Sequence, residues 1–213
     1  MSNHADELPR RRATPPPDHN GGRDTGEGWN HWLGVVPLHP KGVSMTSADL
    51  LLDAFGRVRE TVIEAVMGLT PEQLAFRPAP DANSIAWLVW HLARVQDDHV
   101  ADAAKTEQVW TSEDWAPRFG LRAGTRDTGY GHSSGQVATV KVDSAEVLIA
   151  YYDAVHERTL RFVTTLTDAD LPRIVDDSWD PPVTLGVRLI SVISDDLQHA
   201  GAAMYLRGII ENG

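Results

Sequence analysis

The sequence predicts an all-α fold, a four-helix bundle with long connecting loops behind a disordered N-terminal extension. Three observations carry that expectation. Apolar residues recur at spacings of three and four in four separate stretches between Ser47 and Ile210, the period of one helical face. Each stretch is long enough to form roughly 30–40 Å of helix. One short and two long connections join them, a pattern that suits a bundle.

Residues 1–44 are rich in Pro, Gly, Asn, Asp and Arg. Pro15-Pro16-Pro17 and Asn20-Gly21-Gly22 exclude helix. Trp29, Trp32, Val35, Val36 and Leu38 could dock on a body but do not amount to a core. The segment reads as disordered, and Met45, directly before TSADLLLDAF, is a candidate start. The bundle is then residues 45–213.

The first helix is expected from Ser47 to about Leu69, with Leu51, Phe55, Val58, Val62 and Val66 on one stripe. Thr46 with Asp49 is an N-cap signature. A minor turn opens at Thr70-Pro71-Glu72, with proline at the first helical position. The second helix is expected from Ser84 to Gln108, its stripe Ile85, Leu88, Leu92, Val95 and His99. Val109 to Asp143 is irregular, holds Trp110, Trp115, Phe119, Tyr130 and His132, and leaves room for a short strand pair. Loops this long are often functional. The third helix spans about Ser144 to Leu166, its stripe Leu148, Tyr151 or Tyr152, Val155, Thr159 and Phe162. A linker, Asp168 to Pro182, carries Trp179. The fourth helix spans about Leu185 to Ile210, capped by Thr184 and weakened near its end by Gly208.

Composition narrows the function. The formal net charge is −11, and no Lys/Arg run exceeds Arg10-Arg11-Arg12. This argues against nucleic-acid partners and against a membrane surface. No apolar run reaches the roughly 18 residues of a membrane span. The N-terminus lacks the apolar centre of a signal peptide, so a cytoplasmic location is expected. Cysteine is absent, which removes disulfides, thiolate metal ligands and thiol nucleophiles supplied by the chain.

The anomaly is SVISDDLQHAG, Ser191 to Gly201. A mostly apolar helix there carries two adjacent carboxylates and a histidine, and buried charge is costly unless paired or bound to metal. Asp195 and His199 are four apart and share a helix face; Asp196 and His199, three apart, also can. In SIAWLVWHLARVQDDHV, His91 shares a face with Trp87, Leu88, Val95 and Asp98. His91 opposite Asp195 and His199 would give two imidazoles and one carboxylate. Three protein ligands leave positions open, as in catalytic zinc sites, and the same set suits iron(II). The plainer readings are a surface Asp195–His199 ion pair worth a few tenths of a kcal/mol and a core His91 bonded to a carbonyl. His99 reads as structural or as a support for the ligands, His132 and His156 as exposed, and Trp179 as a loop plug. Asp97-Asp98 reads as one inward and one solvated acid. Arg207 falls near a helix C-terminus, where a cation favours the dipole.

The order of motifs, with WHLARVQDDH on the second helix and SDDLQHAGAAMYLRG on the fourth, resembles the DinB-like superfamily. The likeness is to actinobacterial members related to mycothiol-dependent maleylpyruvate isomerase and thiol S-transferases, and it covers about Ser47 to Ile210. The resemblance implies a divalent metal (zinc, nickel or iron) held by one histidine on the second helix and a His-x-x-x-His pair on the fourth. Carried over, the ligands are His91, Asp195 and His199, with Asp195 replacing the first histidine of the pair. It further implies mycothiol as a small-molecule thiol partner, a transferase or isomerase acting on an electrophilic substrate, Asp98 as an orienting residue and Arg207 as a contact for an anionic group. No catalytic side chain is assigned. A homodimer is compatible with it. The other functional classes are a non-catalytic metal-binding stress-response protein and a metal-dependent hydrolase.

Because residues 1–44 show no helical or strand period, a chain beginning at Met45 is expected to keep its helical circular dichroism and its melting temperature. A melting temperature lower by many degrees would place Trp29 and Trp32 in the core.

Overall fold

The computed structural model describes residues 44–122 and 126–212. The expected extension lies outside them except for Ser44. The helices, in chain order, are α1 (Ser47–Val66), α2 (Pro71–Ala75), α3 (Ile85–Ala104), α4 (Val109–Ser112), α5 (Ser134–Val137), α6 (Ala145–Val163) and α7 (Leu185–Asn212). A two-stranded antiparallel hairpin, β1 (Ile174–Asp176) and β2 (Val183–Thr184), precedes α7. Among the described residues no helix is long and apolar enough to cross a membrane.

The four long helices form the bundle. Helices α1 and α3 each pack against both α6 and α7, so successive helices α1 and α3 stand diagonally across the core. The starts follow the caps in the sequence. Thr46 and Asp49 form a reciprocal capping box, each side chain accepting the other's backbone N–H. Thr70 with Gln73 repeats it ahead of α2, and Ser84 accepts from Trp87 N at 3.2 Å. Thr184 accepts from Val187 N at 3.4 Å. The helices stop three to four residues earlier than expected, except α7, which runs two residues past Ile210.

Helix α3 is buried nearly all round, from Ile85 through Ala103. The connector after it explains this. In place of a strand pair, the described residues of this connector (109–122 and 126–142) hold α4, a 3-10 turn (Ala116–Phe119) and α5, and they cover α3 and α6 as a second layer. Trp110, Trp115 and Phe119 turn inward, whereas Tyr130 stays exposed. Trp110 meets Trp90 edge-on with centroids 6.2 Å apart, and also meets Phe119 and Tyr151.

The connector is fastened by a buried ion pair. Arg94, fully buried, donates to Asp97 Oδ2 at 3.3 Å. Asp97 also accepts from Val109 N and Trp110 N at 2.8 Å and from the Tyr151 hydroxyl at 3.1 Å. Arg94 reaches onward to Gln108 Oε1 and to the carbonyls of Arg126 and Asp127. Two donors from the first turn of α4 end on one carboxylate, so this four-residue helix is set in place by Asp97.

Hydrophobic residues form two clusters, one under the connector and one where Leu51, Phe55, Leu185 and Leu189 meet. Buried polar groups also lie inside the bundle. Tyr152 donates to Gln96 at 3.0 Å, and Gln96 donates to Thr159 at 2.8 Å. His156, expected on the surface, is buried against the ring of Tyr152, and its Nδ1 has no hydrogen-bond partner. Its burial holds its pKa below the ordinary histidine value.

Removing one partner of a buried charge pair costs about 3–5 kcal/mol. Asp97→Ala would strand Arg94 and two backbone donors together, so urea unfolding should show a loss in that range. A loss under about 1 kcal/mol, the typical cost of any substitution, would mean that the pair does not anchor the connector.

Candidate metal centre

Helices α3 and α7 bring His91, Asp195 and His199 together. One ligand atom from each lies within 4.8 Å of the others, and the two imidazole rings sit 4.6 Å apart at 62°. His91 is buried, while Asp195 and His199 are partly exposed.

Both imidazoles are oriented through Nδ1. His91 Nδ1 lies 2.5 Å from the carbonyl of Thr128. His199 Nδ1 lies 2.8 Å from the backbone carbonyl of Asp195. A carbonyl only accepts, so each Nδ1 carries the proton and each Nε2 keeps its lone pair, the arrangement found for metal-ligating histidines. The Asp195 carboxylate lies 3.4 Å from His199 Nδ1. That proton is already given to the carbonyl, and Asp195 Oδ2 is buried without a hydrogen bond. A buried carboxylate oxygen lacking a donor, close to two imidazoles, is a donor set that could hold a divalent cation.

Electrostatics separates the two histidines. Burial pushes the pKa of His91 down, so it stays neutral and able to ligate. The Asp195 side chain holds that of His199 up. Burial works to raise Asp195, but the His199 imidazole outweighs it and keeps the carboxyl below its ordinary value.

A loop from the connector clamps His91. Trp87, one turn earlier on α3, stacks on its ring at 4.6 Å and 10°. Trp87 Nε1 donates to His132 Nδ1 at 3.1 Å, and His132 Nε2 meets Asp127 Oδ2 at 2.7 Å. Asp127 Oδ1 accepts from Gly129 N at 2.8 Å. Gly129 has φ +91°, and a Cβ there would stand 2.8 Å from Trp90 and 2.9 Å from His91 Nδ1. Only glycine lets the backbone come this close. The expectation that His132 is exposed is therefore corrected: its side chain is 6% exposed, packed among Trp87 and Trp90. The TGYGH run in the sequence was the available signal, but nothing local says which helix it covers.

The remaining candidates lie elsewhere. Asp98 accepts from Gln108 and lies 4.0 Å from His99; the atom that orients His91 is the Thr128 carbonyl. Arg207 donates to the carbonyls of Glu64 and Met67, the C-terminal end of α1, and pairs with Glu211. It satisfies a neighbouring helix's dipole. Asp196 is fully buried on the opposite side of α7 from solvent. Asp97 is the inward acid of its pair and Asp98 the half-exposed one. Trp179, expected to plug a loop, is 66% exposed.

A family model described as mycothiol-S-transferase matches residues 50–212. The chain belongs to the mycothiol S-transferase family. Its bundle is DinB-like. A solved structure, described as that of a conserved protein of locus from Enterococcus faecalis, is 29% identical over 80% of this chain and all of its own length, with a TM-score of 0.73. No curated protein matches significantly.

Metal content after dialysis tests the donor set. His91→Ala, His199→Ala and Asp195→Ala should each drop bound divalent metal far below one per chain with the helical spectrum intact. Asp196→Asn should retain it. The reverse result for the two aspartates would put the wrong carboxylate in the site.

Proposed function

We propose that this protein is a metal-dependent S-transferase that uses mycothiol as its thiol, with His91, Asp195 and His199 as the protein ligands of a zinc, nickel or iron ion. The observation that carries the reading is the approach of one ligand atom each from His91, Asp195 and His199 to within 4.8 Å, with an Asp195 oxygen that no donor reaches beside a cavity, in a chain that supplies no cysteine of its own. Family membership supports the thiol.

A bound divalent ion would supply Lewis acidity, under which a coordinated thiol loses its proton. The chain's part is to fix and insulate the donors. The Thr128 and Asp195 carbonyls hold each Nδ1–H, so neither imidazole turns its lone pair away. Trp87 and Gly129 close the inner side of His91 against water. The Asp195 carboxylate offsets positive charge. A cavity of about 350 Å³ reaches Asp195 from the other side and gives a second substrate a way in. A plugged site would have favoured a non-catalytic metal-binding protein, so the cavity favours an enzyme. Transfer and isomerisation of the thiol adduct are both within this chemistry.

Cobalt(II)-loaded protein provides the test. Adding millimolar mycothiol should produce a near-ultraviolet charge-transfer band with the natural chain and none with His199→Ala. No band with mycothiol or any other thiol would favour metal-dependent hydrolysis or a non-catalytic role.

A further inference from the structure

The cavity that touches Asp195 has a wall unrelated to the metal ligands. It lies between α3, α7 and the β1–β2 hairpin and holds about 350 Å³. A cavity of about 150 Å³ accommodates benzene, so there is room for one ring and a substituent. Val95, Val183, Val187 and Val192 make its sides apolar. Trp179, carried between the strands of the hairpin, lines it while leaving most of its indole exposed. A large aromatic left open at a cavity's edge is a ready stacking surface.

The polar element of this wall is Arg188. Its side chain is 13% exposed, and it bonds to Asp176 Oδ2 at 2.8 Å and to His99 Nδ1 at 2.5 Å. His99 Nδ1 accepts there, so it brings no charge. Asp176 divides itself between Arg188 and the N–H and hydroxyl of Ser178. These bonds take two of the five N–H donors of a guanidinium. Asp195, the other carboxylate of the cavity, faces His199. Arg188 is thus held rigidly by α3 and the hairpin, with donors to spare, on the wall of a slot whose other sides are apolar at Val95, Val183, Val187 and Val192 and polar at Ser191 and Asp195.

We propose that this cavity seats the electrophilic substrate, and that it selects a small planar apolar molecule with one carboxylate, its ring against Trp179 and its anionic group on Arg188. The transferase reading is needed only for what happens at the end nearest Asp195. Trp179 and Arg188 are specificity-determining residues here and take no part in holding the ligands' imidazoles.

The probes are benzoate, benzamide and benzylammonium, titrated calorimetrically into the full-length zinc-loaded protein at neutral pH. Benzoate should bind at least about tenfold more tightly than benzamide, as a charge-assisted hydrogen bond warrants, and benzylammonium should not bind. Arg188→Gln should weaken benzoate about tenfold or more while bound zinc stays at its normal level. Trp179→Ala, a change at an exposed residue that leaves the fold untouched, should weaken benzoate and benzamide by similar factors. No benzoate binding at about 10 mM, equal affinity for benzoate and benzamide, or benzoate affinity unchanged in Arg188→Gln would overturn the proposal. The last result joined to loss of binding in His199→Ala would send the carboxylate to the ion instead. The thiol band of cobalt protein is read separately. Its absence with benzoate selectivity intact sinks the transferase reading alone, and its presence without that selectivity sinks this one alone.

Discussion

The Arg94–Asp97 pair is the constraint on which the rest depends. A guanidinium and a carboxylate with almost no exposure are tolerable only if their hydrogen-bonding capacity is met. The connector meets it from both sides. Val109 and Trp110 give their N–H groups to Asp97, and the carbonyls of Arg126 and Asp127 accept from Arg94. The start of the connector and its later loop are therefore tied to one turn of α3. That turn lies directly after His91, and the next carbonyl along the loop, Thr128, is the one that orients His91. A structural ion pair and the geometry of a candidate ligand are linked through three residues of backbone.

The two carboxylates of SDDLQHAG resolve into different environments because adjacent helical residues point about 100° apart. Asp195 is directed to the imidazoles. Asp196 turns into the bundle, where both oxygens are buried without a hydrogen bond. Its burial, and then the neighbouring Asp195 charge, push its pKa well above the ordinary carboxylate range, so its neutral form is favoured. A second ionised acid here would have to be desolvated next to the first.

The parts of this arrangement that could be read from sequence are those governed by short-range periodicity. The four long helices follow their apolar stripes, and Thr46, Ser84 and Thr184 mark the starts of three of them because a capping side chain reaches only three residues. Asp195 and His199 were found together for the same reason, being one turn apart. Residue type and apolar surroundings offer His91 as their partner, and the family resemblance strengthens that pairing, since spacing within α3 says nothing about which helix it faces. The connector was the main loss. Its helices are four residues long, too short for a period, and its inward turn depends on Asp97, Arg94 and Tyr151, which are distant in sequence. His132 and His156 looked solvent-exposed because each sits in a polar stretch, yet their rings are covered by aromatic neighbours. The hairpin has no readable period because its strands have three and two residues.

The same features give the site a direction. On the α3 side, Trp87 lies flat on His91 and the Gly129 backbone comes too close to admit even a methyl group. No ligand enters there. On the α7 side, Asp195 borders a cavity whose far wall is the hairpin. The hairpin is joined to α7 without a loop, since β2 ends at Thr184 and α7 begins at Leu185. The first two N–H groups of α7 end on the carbonyls of Arg173 and Leu171, so the cavity wall and the helix carrying Asp195 and His199 are fixed to each other by backbone bonds. A small molecule gripped by the hairpin is held at a set distance from Asp195. That rigidity would supply the orientation that the proposed reaction between two bound partners requires.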